Sequence, residues 1–165
     1  MQDALVAAAD ELVGDGMRET GISLTDTLRH YMAITMARYM REQIMVDGLT
    51  LRIVEAMDRR ADAVEMRGLA DACLIGCAIF TERLRAAGGS LRHYSGMGQT
   101  AYDAAYLVEQ AMSFAHMRDV LAAATTRPPE GVRELIDAAR AGSTTARETL
   151  ADDNIVAFPA QRFFH

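Results

Sequence analysis

The chain has 165 residues, half of them apolar, with a net charge of −6 and only two cysteines. That length suits one domain that buries its core without a metal or a disulfide framework, and the apolar content excludes wholesale disorder. No segment is strongly basic, which speaks against the cationic face that nucleic-acid binding requires. The longest apolar run, Ala72 to Phe80, is nine residues, where a membrane span needs about 20. Residues 1–13 carry Asp3, Asp10 and Glu11 and no positive stretch, so no secretory leader is expected. The expected location is cytoplasmic, with neither a membrane nor a nucleic acid as partner.

Ala, Leu and Met dominate the apolar set, and all three prolines fall in the last quarter. Both facts favour helices, and the expected fold is an all-α, single-domain bundle of five to seven helices spanning 1–154. The first helix covers about 2–13 and stops at Gly14, with 14–21 as a loop. Ser23 or Thr25 caps a second helix that reaches about Val46. Its apolar residues point in most directions, as a helix buried on several sides requires. Gly48 precedes a short helix over 49–58. The charged stretch 58–62 is a junction, and whether 49–87 is one helix or two stays open. A helix over 62–87 carries the almost wholly apolar stretch 69–80 and ends at Gly88-Gly89.

Ser90 is placed to cap a further helix. Leu91, Tyr94, Gly98, Ala101, Ala105, Val108, Met112 and Ala115 are spaced alternately three and four apart. This seam predicts one unbroken helix over 91–125. Pro128-Pro129 break the chain before two shorter helices over about 129–141 and 144–151. Residues 155–165 form an apolar tail in which Phe158, Arg162, Phe163 and Phe164 are candidate contacts with the bundle or with a partner.

Within the seam, "SGMGQTA" (95–101) matches the G-x-G-x-x-A form of the dinucleotide fingerprint. That fingerprint works only between a strand and a helix N-terminus, and the surrounding residues are helical. Gly98, Ala101 and Ala105 read instead as a small-residue face admitting a neighbouring helix, with Cys73 and Cys77 expected opposite. Gly96 lies off the seam. Cys73 and Cys77 share one helical face and are expected as core. A soft-metal or redox role is the alternative, though no second cysteine pair completes a zinc set. No cofactor is expected, since E-x-x-H, P-loop and G-x-S-x-G patterns are all absent.

His93, Tyr94, Tyr102 and Asp71 form the candidate polar cluster. Asp71 interrupts the apolar run, with Arg67 one turn earlier in ion-pairing reach. The stretch 69–106 also resembles a group of small uncharacterised bacterial helical proteins with an S-L-x-x-Y-x-x-M-G-x-x-A-Y pattern. Here the pattern falls on Ser90, Leu91, Tyr94, Met97, Gly98, Ala101 and Tyr102, after Asp71, Phe80 and Gly89. The resemblance implies a bacterial origin and an all-helical fold, and no activity. With every catalytic signature failing, two functions are expected. One is a regulatory or assembly protein acting through contact with another protein or a second copy. The other is a binder of a small apolar or metal-containing ligand inside the bundle.

Overall fold

The computed structural model describes residues 2–42 and 44–126. Within them the protein is all-α, with eight helices rather than five to seven: α1 Gln2–Thr20, α2 Asp26–Arg41, α3 Leu49–Asp58, α4 Ala63–Ile79, α5 Thr81–Ala86, α6 Leu91–Ala104, α7 Val108–Met112 and α8 Phe114–Thr126. Helix α4 is the central element. Every residue from Leu69 to Cys77 is buried, because α3, α6 and α8 all pack around it. Helix α1 lies against α2 and α8. The 155–165 tail, with Phe158, Arg162, Phe163 and Phe164, falls outside the described residues, as do the helices expected over 129–151.

Helix starts follow short-range chemistry. The side chains of Thr25, Asp62 and Ser90 accept from the backbone N–H groups of Leu28, Glu65 and His93 at 3.2, 2.9 and 3.0 Å. Each satisfies an N–H that a helix N-terminus leaves unpaired.

Helix ends differ from the expectation in four places. First, α1 does not stop at Gly14 but runs through Gly14 and Gly16 to Thr20. Both glycines are buried, and a Cβ added to Gly16 would collide with the backbone carbonyl of Val120 and come within 3.2 Å of Ala124 Cβ. Gly16 is thus the crossing point of α1 and α8, and Gly21, at φ 70°, follows the true end. Second, α2 ends at Arg41, short of Val46, with Glu42 in extended geometry.

Third, the expected 62–87 helix is two. Phe80 ends α4 and opens α5, its ring edge-on to Tyr39 with centroids 6.0 Å apart. Residues 49–87 therefore hold three helices. Fourth, the 91–125 helix is three. Tyr106 has φ 61°, its N–H bonds to the Asp103 carbonyl at 3.0 Å, and the Leu107 N–H reaches back to Tyr102 at 2.9 Å. This is a Schellman stop, which normally uses glycine at the left-handed position. The same pattern ends α3, where Arg60 has φ 54° and the N–H groups of Arg60 and Ala61 bond to Met57 and Ala56. Beyond Ala105 the seam fails: Val108 and Met112 are 55% and 82% exposed, Ala115 is exposed too, and Phe114, Met117, Val120 and Leu121 face the core instead.

Candidate functional site

Helix α2 meets α4 through long side chains rather than close backbone approach. The result is a cleft of about 320 Å³ between α2, α3 and α4, a size that suits a small molecule. Thr35, Leu69, Asp71 and Ala72 are buried lining residues, and Arg38, Glu42, Glu55, Arg59 and Glu65 are charged ones. Arg38 pairs with Glu42 at 3.1 Å, and Arg59 pairs with Glu65. Arg52 donates to the carbonyls of Met45 and Asp47 at 2.9 and 3.4 Å.

Asp71 joins this cleft to the core. It is 5% exposed, and its Oδ1 accepts from Tyr31 and Tyr102 at 2.5 and 2.7 Å. Its Oδ2 lies 3.8 Å from Arg67 Nε. The Arg67 guanidinium sits 4.8 Å from the Tyr31 ring centroid, in cation–π range. Burial pushes the Asp71 carboxyl above its ordinary value, although both phenol hydrogen bonds, Arg67 and Arg38 pull the other way. Burial, the neighbouring carboxylate and the hydrogen bonds donated to it push the Tyr31 and Tyr102 phenols up, so both remain donors at neutral pH. The hydroxyl of Thr35 is buried and has no hydrogen-bond partner among the described residues.

Of the four cluster residues expected from sequence, the structure brings Asp71 and Tyr102 together. Tyr94 is buried elsewhere, against Gly89, where a Cβ would collide with the ring. His93 is exposed, and its Nε2 shares a 2.8 Å hydrogen bond with Thr50 Oγ1. It ties α6 to α3 and takes no part in the cluster. Tyr31 takes the place that was expected for Tyr94 and His93. Sequence reasoning missed Tyr31 and Thr35 because α2 is apolar on several sides, so its register gave no sign of which residue faces Asp71.

Gly98 does admit close neighbours. A Cβ there would lie 2.9 Å from Cys73 Cβ and 2.8 Å from Phe114 Cζ. Ala101 and Ala105 continue the buried face, while Gly96 faces open space. Cys73 and Cys77 are both free and buried. Burial pushes the Cys73 thiol up to about 12 and the Cys77 thiol upward as well, and Ser95 Oγ lies 3.9 Å from Cys77 Sγ. Among the described residues no three His, Cys, Asp or Glu side chains are grouped as a metal would need. No described helix is long and apolar enough to cross a membrane. No protein-family model, curated protein or solved structure matches the chain.

Proposed function

We propose that the chain is a binding protein that takes a small polar molecule into the α2–α3–α4 cleft. The observation that carries this reading is the floor of the cleft. Thr35 contributes a buried hydroxyl without a partner among the described residues, and Asp71, lining the same cleft, a buried carboxylate whose second oxygen lies 3.8 Å from Arg67. An unsatisfied buried polar group costs roughly 1–3 kcal/mol, and a ligand that bonds to it recovers that loss. The mixed-charge lining suits a polar ligand better than the apolar or metal-containing one expected from sequence. A thermal-shift screen of small polar metabolites tests the reading. Stabilisation by one class, abolished by Thr35→Val, supports it. A screen with no stabilising compound refutes it.

A second reading is contact with another copy of the chain. Leu51, Val54 and Met57 recur every third residue on α3 and are all exposed. The stripe is symmetric about Val54, so a two-fold-related copy would set Leu51 against Met57, as a self-complementary dimer face requires. Light scattering tests this, with a Leu51→Glu, Val54→Glu variant as the control. A bacterial origin and a cytoplasmic location remain part of the proposal.

A further inference from the structure

Resting on the cleft reading above, we propose that the ligand is a small organic cation, a primary ammonium compound held by Asp71 and Thr35. Three features of the floor and walls point to a donor-rich positive group.

Asp71 Oδ1 already accepts two phenol hydrogen bonds, from Tyr31 and Tyr102. Its Oδ2 does not: the nearest cation is Arg67 Nε at 3.8 Å, beyond hydrogen-bond length, and that Nε makes no hydrogen bond of its own among the described residues. Arg67 is held aside by its stacking on Tyr31. The Oδ2 lone pairs are therefore open to a further donor. The Thr35 hydroxyl, 3% exposed, lines the same cleft and can accept as well as donate. An ammonium carries three N–H donors and no acceptor, which suits a carboxylate and a hydroxyl that line one cleft. An anion would meet the Asp71 carboxylate across the same space.

The walls add to this. Arg38 and Arg59 are each paired with a glutamate, although Arg38 is near enough for Asp71 to feel its charge, and Arg52 is directed at two backbone carbonyls. Glu55 also lines the cleft, and its carboxylate makes no hydrogen bond or ion pair to a described residue, although Arg59 lies near enough to feel its charge. Glu55 thus offers a second carboxylate nearer solvent, and a diamine can use both ends.

The test is isothermal titration of the full chain with 1,4-diaminobutane and ethanolamine, and with acetate and inorganic phosphate as anions. Saturable amine binding is expected, weakened at least tenfold by Asp71→Asn and by Thr35→Val and less by Glu55→Gln. Glu55 is exposed, so that last variant folds whatever the fate of the others. Thr35→Val keeps the side-chain shape and removes only the unpartnered hydroxyl, so a folded variant with weakened binding separates contact from collapse. Amine binding that is indifferent to all three substitutions overturns the proposal. Binding of the anions alone overturns the ammonium class and leaves the cleft reading standing. Binding of neither overturns the ammonium class, and the cleft reading falls with it when the thermal-shift screen is empty as well.

Discussion

Placing a methyl group at Gly98 tests the packing around α4 most directly. The new Cβ would lie 2.9 Å from Cys73 Cβ and 2.8 Å from Phe114 Cζ. Carbon atoms rest at about 3.5 Å or more, so Cys73 must retreat by about 0.6 Å and the Phe114 ring, whose Cε2 comes closer still than Cζ, by about 1 Å. Cys73 Cβ is fixed to the α4 backbone and cannot swing away. Phe114 is fully buried, and its ring leans on Tyr102 with centroids 6.1 Å apart, so moving it disturbs the hydroxyl that Tyr102 donates to Asp71. Overpacking of this kind costs about 1–3 kcal/mol, and the better helix propensity of alanine returns about 1. Because neither neighbour yields easily, Gly98→Ala should lose about 1–2 kcal/mol, and Gly98→Leu more. Gly96→Ala is the internal control. It stands in the same helix, meets nothing within 4 Å, and should gain up to about 1 kcal/mol. Urea denaturation of the three proteins gives the comparison. A Phe114→Leu background should lessen the Gly98→Ala penalty, since the two sites share one contact. The reasoning fails if Gly98→Ala is as stable as the parent.

The core polar groups give further expected outcomes. The Asp71 carboxyl titrates above its ordinary 3.8 in the folded protein, so the native state holds its proton where the unfolded chain releases it. Stability from this group is therefore full below 3.8 and declines as pH rises toward the folded value, with a slope of at most about 1.4 kcal/mol per pH unit. Asp71→Asn removes that slope, and denaturation curves from pH 4 to 8 should show its stability rising relative to the parent. Tyr102→Phe deletes one of two phenol hydrogen bonds to the buried Oδ1 and should cost about 1–3 kcal/mol by the same assay. With thiols buried and raised, a thiol-specific chromogenic reagent should react with Cys73 only in step with unfolding; fast reaction of the native protein would contradict its burial. If the α3 stripe is a dimer face, the Leu51→Glu, Val54→Glu variant should scatter as a monomer at concentrations where the parent does not.

Much of the fold is legible in local patterns, and the exceptions share a cause. Ser90, and Thr25 as one of two candidates with Ser23, are readable as caps because a hydroxyl bonds an N–H only three residues away. The crowded face at Gly98 was readable because small residues at helical spacing mark a close approach, and Cys73 is indeed across from it. The stops at Arg60 and Tyr106 were not readable. Both residues sit in the left-handed region, where glycine is the usual signal, and here Arg and Tyr replace it. Conversely, Gly14 and Gly16 looked like a stop but serve the packing of α1 against Arg29 and α8.

The sequence by itself determines that this chain is helical, that the middle of α4 is buried on all sides, and where several helices begin. These depend on composition, periodicity and contacts within one turn. Tertiary structure alone decides that Tyr31, 40 residues away, rather than His93 or Tyr94, meets Asp71. It alone decides that α2 stands off from α4 and opens a cleft over Thr35. Such pairings depend on how whole helices cross, and no residue's neighbours in the chain report on that.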